Sequence, residues 1–442
     1  MDKLISFSLP LMLSGILQLM FNAVDIIVVG RFSGSQALAA VGSTSALINV
    51  FTNLFIGISL GANVLTARFY AAGREKEVSE TVHTAITLAL VSGIVMALVG
   101  LVFSRGALAL MGTPDDVIGL SALYMRIYFL GMPFFMLYNY GAAILRAVGD
   151  TKRPLLFLVI AGVINACLNM VLVIVFKLGV AGVAIATVIS QMISCVLVLR
   201  CLCQSKTSYR LRFSELGMKG YYLKQIFSVG VPAGIQSTVI NFSNVLLQSS
   251  VNSFGSTAMA GYTAANNLLG FLYVSVNSIT QACMSFTSQN YGVGKLKRMD
   301  RVLSDCMILS VVVAVVLGCI CYGFGPEILQ IYTEDAEVIA CGMEILAYTT
   351  ITYFLCGWMD LFPGALRGMG YSAVPMVLSV IGTVGTRVVW IFGIFPYHRS
   401  LAILFISYPA SWIITIILQV VCFYFVRRRV HRRSQALAGQ EG

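Results

Sequence analysis

Long apolar stretches separated by short polar segments run along the whole chain. A helix needs about 20 mainly apolar residues to cross a bilayer, whereas barrel strands alternate over roughly ten residues. The pattern therefore predicts an all-α polytopic membrane protein with twelve transmembrane helices. In the first half of the chain we expect these helices at 3–29, 37–69, 78–102, 119–145, 154–176 and 180–203. In the second half we expect them at 222–252, 256–291, 299–323, 338–366, 373–395 and 401–426.

The second half of the chain repeats the first at a spacing of 221 to 222 residues. Pro10 is matched by Pro232, and Leu145-Arg146 by Leu366-Arg367. Further matches are Tyr70 with Tyr291, Gly149 with Gly370, and Pro154 with Pro375. Six spans per repeat is an even number, so both repeats enter the membrane in the same direction. This predicts two parallel six-helix lobes related by a pseudo-twofold axis along the membrane normal.

The repeat and the polar segments together predict the division of the chain. We expect an N-terminal lobe at 1–203, a cytoplasmic linker at 204–221, a C-terminal lobe at 222–426 and a basic cytoplasmic tail at 427–442. With the N-terminus inside, the cytoplasmic segments hold 22 of the 29 Lys and Arg residues, and the external segments hold four. The positive-inside rule then places both termini in the cytoplasm.

Composition supports a membrane protein and excludes several other classes. Charged residues make up 11% of the chain, against about 25% in soluble domains. The net charge of +11 lies mostly in the cytoplasmic segments, so lipid rather than nucleic acid is the expected partner. The eleven cysteines show no metal-binding spacing, and no phosphate-binding loop or catalytic constellation is present. We therefore expect a protein that is not an enzyme, and transport driven by a gradient rather than by ATP.

Asp25 is the only acidic residue in the core of the first span, fifteen residues after Pro10. A carboxylate at membrane depth usually serves a function, and a proline can bend its helix. The functional interpretation is a group that binds a cation or a proton; the alternative is a surface acid near the external end. Gln18 and Asn22 share a helix face with Asp25, where they either support it or merely pack.

Asn165 and Asn169 lie four residues apart on the fifth span and therefore on one helix face, and Thr187 lies on the next span. Amide, hydroxyl and carboxylate oxygens are the ligands that a hard cation such as Na⁺ prefers. The alternative for two such Asn residues is hydrogen bonding between helices.

The second repeat has Leu247 in the place of Asp25. Asp360 either pairs with Arg367 or a neighbouring helix, or forms a second ion site. Arg387 lies deep in the eleventh span and requires a partner or a water-filled cavity that the sequence does not identify. Glu344 lies toward the outer end of the tenth span, without an assigned role. Several amides either line a polar cavity or join helices, namely Asn241, Asn244, Gln248, Asn266, Asn267, Asn277 and Gln281.

Several motifs together resemble the MATE (multidrug and toxic compound extrusion) family of bacterial transporters. They are Ser8-Leu-Pro10, Asp25-Ile-Ile-Val-Val-Gly30, Ala37-Leu-Ala-Ala-Val-Gly42, Leu145-Arg-Ala-Val-Gly-Asp150 and Ala365-Leu-Arg-Gly-Met-Gly370. The resemblance implies a V of two lobes in the bacterial cytoplasmic (inner) membrane. It also implies export of cationic, amphipathic small-molecule drugs in exchange for Na⁺ or H⁺. We expect a monomer with no cofactor other than the coupling ion.

The resemblance also implies which residues bind the ion. In the family, an Asp after a Pro on the first helix, two Asn or Asp four apart on the fifth and a Thr on the sixth form a cation site in the N-terminal lobe. Asp25, Asn165, Asn169 and Thr187 match these positions, although some branches have Asp where Asn169 stands. Other branches have a Glu on the seventh helix and an Asp on the tenth; here the seventh span has no acid, and Asp360 does not fall on the expected position.

Three rival functions stay open at this point, one of which, a receptor or scaffold without transport, does not explain Asp25. A lipid-linked oligosaccharide flippase of the same superfamily favours a cavity with more Arg and Lys, whereas the spans suggest only about two buried cations, Arg126 and Arg387. A membrane-embedded acyl- or glycosyltransferase requires a catalytic acid, His or metal cluster near one face of the membrane. The sequence contains no such cluster that we can place.

Overall fold

The computed structural model describes residues 1–332 and 334–438, which are helical almost throughout and contain no β-strand. The first repeat comprises α1 (Asp2–Phe32), α2 (Ser35–Ala71), α3 (Glu75–Leu110), α4 (Asp115–Leu130), α5 (Met132–Ala147), α6 (Lys152–Asn169) and α7 (Gly179–Gln204). The second comprises α8 (Gly220–Asn252), α9 (Ser256–Gly292), α10 (Leu296–Gly323), α11 (Gly325–Leu329), α12 (Ala336–Thr349), α13 (Tyr353–Gly368), α14 (Ala373–Ser379), α15 (Thr386–Val389) and α16 (Leu401–Ala438).

These helices confirm the predicted polytopic α-fold, with six spans in each repeat. Among the described residues, eight helices are long and apolar enough to cross a membrane on their own, and two bent pairs bring the number to ten. The other two spans are α8 and α9, which are less apolar because they contain many Asn, Gln, Ser and Thr residues. A polar side of this kind fits helices that line a cavity or meet other helices.

Two spans that the hydropathy pattern treats as continuous are broken. The fourth bends by 47° between α4 and α5, and the tenth bends by 51° between α12 and α13. Gly131 stands at the first break, where an added Cβ would lie 2.7 Å from Gln191 Oε1 of α7. Pro133 then occupies the first turn of α5, a position that does not need the missing N–H. An added side chain at Gly131 would thus meet α7, so close packing at the first break favours glycine.

The fifth and eleventh spans contain π-helical segments, at Met170–Val175 in the first repeat and at Val380–Gly385 and Trp390–Ile394 in the second. A π-helical turn carries one extra residue and often marks a functional position. The segment in the first repeat begins immediately after Asn169, which ends α6.

The chain forms two compact units, one of residues 13–234 and the other of residues 1–12 with 235–442. This division differs from the predicted one, in which the lobes meet at the linker 204–221. The chain instead passes from one unit to the other inside α1 and inside α8, in each case two residues after Pro10 or Pro232. The tail predicted at 427–442 continues α16 as far as Ala438, and residues 439–442 lie outside the described part.

The linker belongs to the 13–234 unit because it is hydrogen-bonded to α3. The Nδ1 of buried His83 lies 2.6 Å from the Ser79 carbonyl oxygen and must donate to it. Its Nε2 therefore accepts, from the Arg212 N–H at 3.1 Å. Lys219 adds an ion pair of 2.5 Å with Glu80. Two linker residues pair as well, since Arg212 donates to Glu215 at 2.7 Å and holds the pKa of Glu215 below its usual range.

The N-terminal half of α8 packs backbone to backbone against α2 within the same unit. A Cβ added to Gly57 would overlap Gly234, one added to Gly61 would overlap the Ile226 carbonyl, and one added to Gly230 would overlap Ile58. Glycines spaced four residues apart on both helices permit this approach. We call this contact the α2–α8 glycine seam.

The first twelve residues are anchored in the other unit by apolar packing. Phe7 meets Phe286 edge to face, with ring centroids 5.2 Å apart. Leu4, Phe7 and Leu11 are buried in one cluster with Ile279 of α9. Burial of these side chains explains why the start of α1 groups with the second repeat.

Candidate functional site

Asp25 meets α6 and α7 within the 13–234 unit. Its Oδ1 accepts a hydrogen bond from Asn169 Nδ2, and Asn169 Nδ2 also donates to Asn165 Oδ1 at 3.1 Å. Thr187 Oγ1 lies 3.5 Å from Asp25 Oδ2. The structure therefore brings together all four residues that the sequence singled out. Asn165 and Asn169 are buried, and Asp25 and Thr187 are partly buried.

Thr187 has one hydroxyl hydrogen for two acceptors. Its Oγ1 donates to the Val183 carbonyl oxygen at 2.9 Å or to Asp25 Oδ2 at 3.5 Å. When the hydrogen is directed to Val183, the Thr187 lone pairs face the carboxylate, and a cation between the two oxygens would stabilise the arrangement.

Asn169 supplies a further acceptor. Its Oδ1 is buried and has no hydrogen-bond partner among the described residues. A buried unpaired amide oxygen is uncommon and costs about 1–3 kcal/mol. This oxygen belongs to the same side chain that supports Asp25, so the unpaired acceptor lies beside the carboxylate. The group thus has one negative charge and several neutral oxygen donors, which suits a monovalent cation or a proton.

Aromatic residues surround the carboxylate. Tyr124 and Tyr128 of α4 stack with centroids 6.1 Å apart, and both interact electrostatically with Asp25. Phe21 lies one turn before Asp25 on α1, and a Cβ added to Gly162 of α6 would overlap its ring. Direct contact between α6 and the Phe21 side chain thus fixes the separation of α1 from α6 near the carboxylate.

Gln18 and Asn22, which the sequence leaves either to support Asp25 or merely to pack, are not hydrogen-bonded to it among the described residues. Both side chains are exposed. On this side of α1, Gln18 and Asn22 therefore add no hydrogen bond to the Asp25 carboxylate. Pro10 lies in the part of α1 that belongs to the other unit.

The described part of the second repeat shows no similar group around an acid. Leu247, in the place of Asp25, is buried in an apolar cluster. Asp360 interacts electrostatically with Arg367, but within the described residues no ion pair of 4.0 Å or less joins them. Arg367 instead donates to Gln236 at 2.6 Å. The structure thus gives only long-range support to the expected pairing of Asp360 with Arg367.

Arg387 has neutral partners. Its Nη1 donates to Ser243 Oγ and to Asn244 Oδ1, both at 2.7 Å, and its Cζ lies 4.7 Å from the ring centroid of Tyr408. Sequence reasoning missed Ser243 and Tyr408. The internal repeat could have indicated Tyr408, because this residue occupies the position that corresponds to Thr187.

The buried cations differ from the expected pair. Arg126 is exposed, whereas Arg367 and Arg387 are both buried. Arg126 lies on the outer side of α4, and a hydropathy pattern does not show which side of a helix faces its neighbours.

The sequence profile of the MatE family matches the chain twice, at residues 10–171 and again at 232–392. The two matched segments coincide with the two internal repeats. They begin at the two matched prolines, Pro10 and Pro232.

Curated relatives match over most of their length. The probable multidrug resistance protein YoeA of Bacillus subtilis is 31% identical over 434 residues, which cover 96% of this chain and 93% of YoeA. The probable multidrug resistance protein NorM of Thermotoga maritima is 26% identical over 390 residues, which cover 86% and 82% of the two chains. The multidrug export protein MepA of Staphylococcus aureus is 22% identical over 379 residues, which cover 85% and 83%.

Solved structures share the fold. A MATE family multidrug resistance transporter in an outward-facing conformation superposes with a TM-score of 0.88 at 20% identity, covering 97% of this chain and 96% of its own. A MATE structure described as the bent conformation gives a TM-score of 0.87 at 20% identity, covering 99% and 96%.

Proposed function

The chain belongs to the MATE family, and from this premise we propose that it is a secondary antiporter that exports cationic, amphipathic drugs in exchange for Na⁺ or H⁺. The three relatives described above are named as multidrug resistance or export proteins, which supports this substrate class. The protein is a multi-pass membrane protein. We further propose that it acts as a monomer in the bacterial cytoplasmic membrane with both termini inside, an orientation favoured by the distribution of Lys and Arg.

One observation carries the proposal: a single carboxylate, that of Asp25, lies beside the buried, unpaired Oδ1 of Asn169. The coupling ion is transported rather than resident. Na⁺ would be held by the Asp25 carboxylate and by the oxygens of Asn169, Asn165 and Thr187. A proton would instead bind one Asp25 oxygen, which could then donate to a neighbouring amide oxygen. Either ion neutralises the one negative charge of the group.

Binding of the ion must favour one conformation over another, because a ligand shifts an equilibrium only through different affinities for the two states. Asp25 lies on α1, and Pro10 removes one backbone donor from the same helix. The helix changes compact unit two residues after this proline. We propose that occupation of the Asp25 site changes α1 at Pro10 and favours outward release of the drug.

The test is efflux of ethidium from drug-susceptible bacteria that express the protein. Asp25→Asn keeps the shape of the side chain but removes its charge, so we expect efflux to fall to the level of cells without the transporter. Asp116→Asn is the matched control, because Asp116 is an exposed carboxylate in the first turn of α4. Full activity of Asp25→Asn at normal expression would remove Asp25 from the mechanism.

The rival flippase function receives no support from the relatives, which are named for drug resistance and export. The two buried cations, Arg367 and Arg387, lie on different helices, α13 and α15. Arg367 is bonded to Gln236, and Arg387 to Ser243 and Asn244. They do not form the cluster of cations that would hold a pyrophosphate.

A further inference from the structure

Arg387 is a buried cation without an acidic partner. It is 3% exposed and lies on α15, between the two π-helical segments of the eleventh span. Among the residues that the structure describes, no carboxylate lies within 4.0 Å of it. A charge at membrane depth is costly unless it is compensated, so a buried guanidinium without a counter-charge is a candidate functional group.

The hydrogen bonds of Arg387 leave part of its guanidinium available. Its two Nη1 hydrogens are directed to Ser243 and Asn244, both of which are neutral. Its Nε is buried and has no hydrogen-bond partner among the described residues. A guanidinium has five N–H donors in a planar fork that matches a carboxylate. The structure therefore holds the group in place through Nη1 and leaves a donor without an acceptor.

Aromatic rings cover one face of the guanidinium. The Tyr408 ring lies over Cζ, and its hydroxyl lies 3.0 Å from that of Tyr262. Ser243 and Tyr262 are buried, but Asn244 and Tyr408 are partly exposed. The guanidinium thus contacts two side chains that reach the surface of its unit.

The two repeats carry opposite charges in related places. In the first repeat, Asp25 and Thr187 provide negative charge and oxygen lone pairs beside α6. In the second, Leu247 and Tyr408 occupy the corresponding positions, and Arg387 provides a positive charge. A site on the corresponding helices that carries a positive instead of a negative charge is suited to an anion rather than a cation.

We propose that Arg387, with Ser243, Asn244 and Tyr408, forms a site for a monovalent anionic group. Its ligand is either the carboxylate of a transported compound or a halide ion. The first source rests on the proposed export function, whereas the second does not. A zwitterionic compound carries both a positive and a negative group. The site would bind the negative group and so allow the protein to accept such compounds.

The test measures binding to the purified full-length protein, without transport. Benzoate and benzamide have the same ring and nearly the same size but differ in charge. Their affinities are measured by calorimetry at constant Na⁺ and ionic strength, with isethionate as the bulky background anion. We expect benzoate to bind at least about tenfold more tightly than benzamide. Equal affinities for the two probes on the wild-type protein would overturn the proposal, even if every variant failed to fold.

Variants then locate the site. Arg387→Gln should abolish the preference for benzoate, and Arg387→Lys, which keeps the charge but lacks the fork, should retain part of it. The control Arg126→Gln, which removes an exposed arginine, should leave the preference unchanged. A folded Arg387→Gln protein that still prefers benzoate would overturn the assignment.

A chloride titration separates the two sources of the anion. Competition between chloride and benzoate that disappears in Arg387→Gln would identify a halide site, whereas benzoate binding that chloride leaves unchanged would identify a carboxylate site. Ethidium transport by the same wild-type preparation reports separately on the export function. If ethidium is not transported but the protein still prefers benzoate, this result contradicts the export function and leaves the anion site supported.

Discussion

The α2–α8 glycine seam yields a prediction whose size follows from the structure. A Cβ added to Gly234 of α8 would lie 2.5 Å from the Leu54 carbonyl oxygen of α2, whereas real Cβ atoms essentially never come within 3.0 Å of another atom. The helices must therefore separate by about half an ångström, because a backbone oxygen cannot rotate away as a side chain can. Gly234→Ala tests whether this close approach stabilises the 13–234 unit.

Two opposing effects determine the expected magnitude. Overpacking costs about 1–3 kcal/mol, and a backbone clash between two helices favours the upper end. Alanine recovers about 0.5–1 kcal/mol relative to glycine within a helix. The net loss of unfolding free energy should be about 2 kcal/mol. With the scaling for units of about 150–250 residues, this lowers the melting temperature by roughly 4–8 °C.

The assay is thermal unfolding of the purified protein in one detergent, followed with a thiol-reactive fluorescent dye. The dye follows unfolding of both units, because Cys195 is buried in this unit and Cys283, Cys306, Cys356 and Cys422 are buried in the other. The matched control is Gly42→Ala on α2, because a Cβ at Gly42 would meet nothing within 4 Å. This control should be as stable as the wild type or slightly more stable. A Gly234→Ala protein at least as stable as both would refute the close packing of α2 and α8.

Two further predictions concern other contacts in the same unit. His83→Ala should release the linker from α3, because it removes the acceptor of the Arg212 N–H. Limited proteolysis should then cleave within the linker at least several times faster than in the wild type. An unchanged rate would show that Lys219 alone suffices to hold the linker on α3. Gly162→Ala should displace Phe21 from α6 near Asp25. We expect lower ion-driven efflux and a loss of unfolding free energy of about 1–3 kcal/mol. Unchanged efflux would show that the position of the Phe21 ring does not affect the site.

The sequence predicted the all-helical, twelve-span fold because hydropathy and repetition are properties of the chain alone. It could not predict the breaks at Gly131 and before Tyr353. At the first break Gly131 packs against α7, and this contact involves residues distant in sequence. The passage of α1 and α8 between compact units was missed for the same reason: Phe7 and Gly234 reveal their partners only when the chain is folded.

The candidate cation site was largely predictable from the sequence. Two Asn residues four apart must share a helix face, and a lone intramembrane acid is a strong signal, so Asp25, Asn165 and Asn169 stood out. Their role in binding an ion stays a prediction. The Arg387 group was not predictable in the same way, because Ser243 and Asn244 resemble ordinary helix-joining polar residues until their hydrogen bonds are seen.

The most direct test of ion-coupled export uses purified protein in proteoliposomes, with ethidium as the transported compound. A Na⁺ gradient and a pH gradient are imposed separately, on the wild type and on Asp25→Asn. We expect one gradient to drive ethidium movement in the wild type and Asp25→Asn to abolish it. Equal movement in Asp25→Asn, or no movement under either gradient with folded protein, would contradict it.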